Sequence, residues 1–368
     1  MLTINTKDLN NALSLVSKFA NPKATLPILQ NILMEVKKNT LWLTASNLEM
    51  FIKVTLGVKT EDEFKVAVPA RIASEVFLSL TGNAVTIDRK ETMLEVTSGN
   101  FKGHLSFTDP TDFPEFAVTR KEDLSLPMTD FLQVFAKVGF AISVDESRPV
   151  LTGICFTQGE KNLEIVGTDG FRLSKVTLPA KAGLASSLIV PRGILQQLSA
   201  FTSFGNTLSI GFDKENSQAS FAVGEAVASS RLISGDFPDY NKIIPTTFGV
   251  NTSVDVSDLV SAVKNAAVFA RDASDVVKMT VGPKSLEMMS ESNTYGNQNT
   301  KIEASSSFDN SYTGNSLTVA FNYRFLLDYL KTVVGETVKI SFVSEASPCV
   351  FTDPTDEHYT HLIMPVKI

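Results

Sequence analysis

Cysteine, histidine and long apolar runs are all scarce in this chain of 368 residues. Its two cysteines, Cys155 and Cys349, cannot form a disulfide framework, and with only three histidines beside them a zinc site is not expected. This sparse cysteine usage predicts a reducing, cytoplasmic setting. No apolar stretch approaches the roughly 18 residues of a membrane span, and the N-terminus lacks the basic start and apolar run of a signal peptide. We therefore expect no membrane partner.

Sequence motifs of common enzymes are also missing. There is no Walker loop, no Gly-x-Ser-x-Gly elbow and no nucleotide-binding fingerprint. His358 and His361 would lie on opposite faces of a strand, so we expect solvated histidines and no metal site. The carboxylates of Thr108–Asp112 and Thr352–Asp356 are explained by Asp-Pro turns. We expect neither catalysis nor a cofactor, and a hydrolase that uses those carboxylates is the enzymatic alternative.

The composition is that of a folded globular protein with a surplus of acid. Hydrophobic residues make up 43% and charged residues 20%, which argues against disorder. The 33 basic residues are outnumbered by 40 acidic ones, so the formal net charge is −7. An acidic chain is poorly suited to gripping nucleic acid by charge. Any role on DNA must therefore depend on local basic surface or on topology.

One pattern occurs three times along the sequence. Strand-like runs contain Leu41, Leu163 and Leu286, which lie 122 and 123 residues apart. Phe113–Phe116 corresponds in the same way to Phe237–Tyr240. Repeats of this length predict tandem domains rather than solenoid units of about 20–50 residues. The expected domains are 1–122, 123–247 and 248–368.

Each copy predicts the same α+β architecture. A strand is followed by an amphipathic helix, for which Thr129 or Asp130 and Ser257 are the expected N-caps in the second and third copies. Alternating apolar and polar residues elsewhere predict antiparallel strands. The fold class is therefore three tandem similar domains, each with two helices and about eight strands. Head-to-tail contacts between such domains give a closed ring or an open arrangement; the alternative to a ring is a string of domains. The second helices are expected after Pro69, Pro191 and Phe321.

An ordered set of motifs resembles the bacterial DNA polymerase III beta subunit, the sliding clamp family. The motifs are Thr25–Leu33, Arg148–Phe156, Gly167–Leu173, Phe237–Tyr240 and Leu362–Ile368. The resemblance covers the whole chain. It implies a non-enzymatic processivity factor, in which two chains form a ring of six domains with helices lining the hole. Such a ring would encircle double-stranded DNA without regard to sequence. A repeat scaffold that does not bind DNA remains the non-enzymatic alternative.

The same resemblance implies one hydrophobic pocket per chain, between domains two and three, where polymerase, clamp loader and repair proteins dock short peptides. The expected pocket residues are Arg148, Leu151, Thr168, Gly170, Phe171, Arg172, Leu173, Pro238, Lys242, Ile243, Asn322, Phe325, Ile363, Met364, Pro365 and Val366. The sequence departs from the family at one of these positions and at one beside them, because the family often has His where Phe171 stands and Arg where Lys367 stands.

Two further sets of residues complete the expectation. Cations on or beside the predicted helices are the candidates for a DNA-lined channel: Lys18, Lys23, Arg71, Lys137, Arg192, Lys264, Arg271 and Lys331. For the joint between the two chains, the resemblance implies that Leu105 of domain one faces Val268 and Phe269 of domain three.

Overall fold

The computed structural model describes residues 1–115, 121–180, 182–184, 186–213, 215–272, 274–309 and 312–367. These residues form two compact units. One unit contains Met1–Leu132 and Gly193–Leu232, and the other contains Gln133–Arg192 and Ile233–Ile368. Phe116, the last residue of the first expected aromatic turn, lies outside the described residues.

The first third of the chain contains helices α1 (Thr6–Val16) and α2 (Ala70–Leu78). Asn5 caps α1, because its side-chain oxygen accepts hydrogen bonds from the backbone N–H groups of Lys7 and Asp8 at 2.9 and 3.3 Å. The described strands are β1 Leu2–Asn5, β2 Asn31–Lys37, β3 Thr40–Ser46, β4 Met50–Gly57, β5 Lys59–Thr60, β6 Phe64–Pro69, β7 Ala84–Arg89, β8 Met93–Ser98 and β9 Phe101–Ser106.

The middle third contains helices α3 (Met128–Val138) and α4 (Arg192–Gln197). Because α3 already begins at Met128, Thr129 and Asp130 are part of the helix rather than its caps. The described strands are β10 Leu124–Pro127, β11 Gly153–Gln158, β12 Leu163–Thr168, β13 Arg172–Leu178, β14 Leu188–Pro191, β15 Thr207–Asp213, β16 Gln218–Val223 and β17 Ala226–Arg231.

The last third contains helices α5 (Val256–Ala270) and α6 (Tyr323–Leu330). The expected cap at Ser257 is wrong: Asp255 caps α5 and accepts from the backbone N–H groups of Ser257 and Asp258 at 2.8 and 3.1 Å. The described strands are β18 Val250–Asp255, β19 Val276–Val281, β20 Ser285–Ser292, β21 Gly296–Glu303, β22 Ser305–Phe308, β23 Leu317–Asn322, β24 Thr337–Phe342, β25 Cys349–Thr352 and β26 Tyr359–Ile363.

The first unit holds two sheets whose described neighbours are all antiparallel. One has the strand order β5-β1-β7-β8-β9, and the other has the order β10-β15-β16-β17-β4-β3-β2-β6. The second sheet combines strands from the first third and the middle third of the chain, because β4 pairs with β17. This pairing is called the first joint.

The second unit also holds two antiparallel sheets. Their strand orders are β14-β11-β12-β13-β26-β25-β24-β18-β22 and β21-β20-β19-β23. Here β13 pairs with β26 and so links strands from the middle and last thirds of the chain. This pairing is called the second joint. The second joint occupies the same position in its sheet as the first joint does in the larger sheet of the first unit.

Several local expectations can be compared with the fold. Cys155 and Cys349 are both free and buried, as a core role requires. The two Asp-Pro segments are turns, since Asp109 and Asp353 accept hydrogen bonds from Thr111 and Thr355, two residues further on. Among the described residues, no cluster of three or more His, Cys, Asp or Glu side chains is arranged to hold a metal ion. None of the described helices is long and apolar enough to span a membrane.

The expectation of solvated histidines is wrong for His361. His361 is fully buried, whereas His358 is exposed. The ring of His361 stacks on Tyr329 with centroids 4.9 Å apart, and its Nδ1 lies 2.7 Å from the hydroxyl of Ser174. Burial lowers the pKa of His361 to about 3. It is therefore a neutral core residue of the second unit.

Candidate functional site

A tight turn joins β12 to β13 at the edge of the second joint. The hydroxyl of Thr168 donates to the carbonyl of Arg172 at 2.7 Å and accepts from the N–H of Gly170 at 3.1 Å. Asp169 Oδ1 accepts from the N–H groups of Phe171 and Arg172 at 2.9 and 3.0 Å. Gly170 has φ +90°, a conformation that favours glycine. The turn thus fixes its own shape and leaves the Phe171 side chain 62% exposed.

Arg172 braces this turn against helix α6. Its Nε donates to Asp169 Oδ2 at 3.1 Å, and its Nη1 donates to Asp328 Oδ2 at 2.8 Å. The guanidinium lies 4.5 Å from the ring centre of Phe325 and 5.3 Å from that of Phe140. Only 12% of the side chain is exposed. Two carboxylates and two rings therefore engage the guanidinium of Arg172, one of the expected pocket residues.

The carboxylate of Asp328 is kept ionised by its neighbours. Burial raises the pKa of Asp328, but hydrogen bonds from Arg172 and Lys331 outweigh burial, so the pKa lies below its usual value. The contact between Arg172 and Asp328 is therefore an ion pair at neutral pH.

An apolar strip crosses three neighbouring strands beside the turn. Leu173 on β13 is opposite Leu362 on β26, and Leu362 is opposite Val350 on β25. All three side chains are buried. They cluster with Cys155, Val166 and Tyr240, and partly buried side chains pack on this cluster: Phe237, Ile244, Phe248 and Met364. The strip supplies the apolar floor that a peptide groove needs.

The repeated aromatic turn Phe237–Tyr240 is anchored beside this strip. The Tyr240 hydroxyl donates to Glu164 Oε2 at 2.6 Å, and Lys175 Nζ donates to Glu164 Oε1 at 3.0 Å. Burial raises the pKa of Tyr240, and its hydrogen bond to Glu164 raises it further. These hydrogen bonds hold Tyr240 in place, and the chain continues from it to the exposed residues Lys242 and Ile243.

The C-terminal segment passes directly behind the turn. The N–H of Met364 donates to the carbonyl of Phe171 at 2.8 Å, and the N–H of Val366 donates to the carbonyl of Ala320 at 2.8 Å. Ile363 is fully buried, while Met364 and Val366 are partly exposed. Ile363 is therefore a core residue. Met364 packs on the apolar strip and is partly accessible to solvent.

The structure divides the expected pocket residues into three groups. Leu151, Thr168, Leu173 and Ile363 are buried. Asn322 caps α6 by accepting from the N–H of Arg324 at 2.9 Å, and Arg172 is engaged as described above. The remaining residues are exposed or partly exposed: Arg148, Gly170, Phe171, Pro238, Lys242, Ile243, Phe325, Met364, Pro365 and Val366.

The sequence did not predict the roles of several residues in this region. Glu164, Lys175 and Val350 support the floor and the aromatic turn, while Asp328 and Phe140 hold Arg172. Tyr240 was not among the expected pocket residues either, although the repeated Phe-Pro-x-aromatic motif marks its position. The others have no local signature, because their partners are distant in sequence.

The candidate channel cations differ in their surroundings. Lys18, Lys23, Lys264 and Arg271 are exposed on or beside helices, and Arg192 is partly buried at the start of α4. Two others are exposed but paired on their own helices, Arg71 with Glu75 at 3.7 Å and Lys331 with Asp328 at 2.9 Å.

Lys137 does not fit the expectation of a free channel cation. Its ammonium group forms an ion pair with Asp356 and lies 5.6 Å from the ring centre of Tyr359. The side chain is mostly buried as a result.

The residues expected at the joint between chains also differ in their solvent exposure. Val268 is 60% exposed and Phe269 is partly buried near the end of α5. Leu105 is buried within its own sheet, opposite Leu94. Two concavities of about 740 and 750 Å³ lie elsewhere, one beside α2 and one at the start of α5.

Comparison with known proteins gives a consistent result over the whole chain. Family models of the DNA polymerase III beta subunit match its N-terminal domain at residues 1–117, its central domain at 125–239 and its C-terminal domain at 241–367. The beta sliding clamp of Staphylococcus aureus is 28% identical over 371 residues, which cover 98% of this chain and 96% of that one.

Solved structures agree with the family models. The beta subunit of DNA polymerase from Streptococcus pyogenes superposes with a TM-score of 0.92 at 25% identity, with full coverage of both chains. A C. crescentus beta sliding clamp superposes with a TM-score of 0.91 at 26% identity, covering 100% of this chain and 99% of that one; it is described with polyethylene glycol bound at a beta-motif tethering region. The Thermotoga maritima beta subunit, at 23% identity and a TM-score of 0.92, has the same fold.

Proposed function

The chain belongs to the DNA polymerase III beta subunit family, the sliding clamps, and on that premise we propose that two copies close head to tail into a ring around duplex DNA. The family consists of processivity clamps without catalytic activity, in keeping with the missing enzyme motifs. The repeating units of the proposed ring are the domains 1–122, 123–247 and 248–368, in a cytoplasmic protein.

The two internal joints supply a template for the joint between chains. Met50 pairs with Ser230 at the first joint, and Arg172 pairs with Ile363 at the second. Both joints are antiparallel strand pairs with one strand from each of two successive domains. A third joint of the same kind needs one free strand edge at the end of domain one and another in domain three.

Two strands supply these free edges. Among the described strands of its sheet, β9 pairs only with β8, and β21 likewise pairs only with β20. Such open edges are templates for pairing with another chain. β21 follows β20 as β4 follows β3, so Gly296 at the start of β21 corresponds to Met50 at the start of β4. In the same way, β9 follows β8 as β17 follows β16, and Leu105 on β9 corresponds to Ser230 on β17. We expect Gly296 to pair with Leu105 of the partner subunit, close to Val268 and Phe269 on α5.

The ring would hold DNA by enclosure rather than by affinity. Tight phosphate contacts would hinder sliding and weaken steeply with salt, and the chain as a whole is acidic. The test is to load the protein onto nicked circular DNA and then to linearise the circle. The complex should survive high salt on the circle and be released from the linear form. Retention after linearisation would instead favour ordinary electrostatic binding.

The surface around Met364 is the proposed docking site for short peptides of the polymerase, the clamp loader and repair proteins. The observation that supports it is a set of accessible apolar groups beside a buried apolar strip: Phe171 and Ile243 are exposed, and Met364 is partly exposed. Extended peptides bind by placing a few apolar anchors on such a preformed surface. Calorimetric titration of peptides against the wild type and a Met364→Ala variant tests this assignment.

A further inference from the structure

We infer that the first joint repeats the backbone of the docking site, and that Leu48, Glu49, Ser229 and Arg231 prevent it from binding the peptides that the second joint binds. This inference rests on the proposed function of the second joint. It identifies the residues that restrict docking to one joint of each chain.

The turn between β3 and β4 has the same hydrogen bonds as the turn between β12 and β13. Ser46 Oγ donates to the carbonyl of Met50 at 2.9 Å and accepts from the N–H of Leu48 at 3.0 Å. Asn47 Oδ1 accepts from the N–H groups of Glu49 and Met50 at 3.1 and 2.7 Å. Thr168 and Asp169 make the corresponding four bonds at the second joint, as described above. Leu48 has φ +76° at the position where Gly170 has φ +90°.

The strand that runs behind the turn is also equivalent. The N–H of Arg231 donates to the carbonyl of Glu49 at 3.1 Å, as the N–H of Met364 donates to the carbonyl of Phe171 at 2.8 Å. Phe51 is opposite Ser229 at the first joint, as Leu173 is opposite Leu362 at the second. The two joints therefore share one backbone frame and differ in their side chains.

Four differences change the chemistry of that frame. Leu48 replaces Gly170, and its side chain is 46% exposed where the glycine leaves room for a close approach. Glu49 and Arg231 replace Phe171 and Met364, and both are exposed. An apolar peptide laid here would remove their charges from water, which is costly without compensating partners.

The fourth difference lies in the floor. Ser229 replaces Leu362, and Ser220 is opposite Ser229 where Val350 is opposite Leu362. The apolar strip of the second joint is thus interrupted by hydroxyl groups at the first. The first joint offers apolar anchors neither an open turn nor a continuous apolar floor.

A graft into a ring whose docking site has been disabled tests the inference. The probe is a short peptide selected from a random library on the wild-type protein. Met364→Arg places in the second joint the charge that Arg231 carries in the first, and it should weaken binding of the probe at least about tenfold. Leu48→Gly, Glu49→Phe, Ser229→Leu and Arg231→Met are then added to this variant. Binding should return to within about threefold of the wild type, whereas Leu48→Gly alone should not restore it.

A second variant protects the test against failure of the graft to fold. Leu48→Gly, Glu49→Phe and Arg231→Met change only exposed positions and should leave the melting temperature and ring size intact. In the Met364→Arg background, this variant should bind the probe more tightly than Met364→Arg alone does. A folded graft that binds no more tightly than Met364→Arg alone, or a wild type that binds two peptides per chain, would overturn the inference. A wild type that binds no peptide would instead overturn the proposed docking function.

Discussion

The backbone N–H of Met364 donates to the carbonyl of Phe171 at 2.8 Å, and this bond joins the C-terminal segment to the turn after β12. The two side chains have different surroundings: Phe171 is exposed at the turn, and Met364 packs on the apolar strip. Because this backbone contact links the two segments, we expect the proposed docking surface to depend on the strand pairing beneath it and on the last residues of the chain.

Removing the Met364 side chain should weaken peptide binding without unfolding the protein. Met364→Ala should cost about 1–3 kcal/mol of binding, roughly 5- to 150-fold in Kd. A chain that ends at Pro365 should also bind more weakly, since it lacks the bond from Val366 to Ala320. Met289→Ala, at an exposed methionine on β20, is the matched control and should leave the affinity unchanged. Unchanged affinity in both test variants would remove the C-terminal segment from the site.

Arg172→Lys should reduce both stability and peptide affinity. A lysine cannot hold Asp169 and Asp328 together as a guanidinium does, so we expect a loss of about 1–3 kcal/mol in the free energy of unfolding. Asp328→Asn should have a similar effect, and the double variant should lose less than the sum of the two. Arg324→Lys is the control, because its ion pair with Asp275 is exposed on the arginine side. Additive losses would show that the two residues do not act as a pair.

His361 should make the protein less stable in acid. Its pKa is about 3 in the folded protein and is near 6.5 when unfolded, so the folded state disfavours the protonated form. The associated stability is fully present above pH 6.5 and is lost as the pH falls from 6.5 towards 3, with a slope approaching about 1.4 kcal/mol per pH unit. Urea unfolding between pH 7 and 4.5 measures the slope. His361→Phe should remove this contribution, and His358→Gln, at an exposed histidine, should retain it.

A charge at the end of α5 should open the proposed ring. Phe269→Asp would place a carboxylate in the expected joint between chains, so light scattering should shift from a dimer of about 80 kDa towards the 40.0 kDa chain. Val334→Asp, at another exposed valine that is not part of α5, should leave the dimer intact. A wild-type protein that is monomeric at micromolar concentration would contradict the ring, whereas a dimeric Phe269→Asp variant would contradict only the placement of the joint.

The sequence by itself determined the threefold repeat, the α+β class and the family. These follow from patterns between near neighbours and from recurrence along the chain: the period of two in the strands, the helices after Pro69 and Pro191, and the motif that contains Tyr240. Such patterns are local because backbone conformation and strand alternation are set within a few residues.

Only the tertiary structure decided which side chains are engaged and which are free. Arg172 and Asp328 are 156 positions apart, and Lys137 and Asp356 are 219 apart, so neither ion pair has a local signature. His361 and Ile363 became core residues, and Met364 packed on the apolar strip, because β26 pairs with β13 in one register. A one-residue slip would exchange the two faces of β26, and the register is set by the packing of the whole sheet.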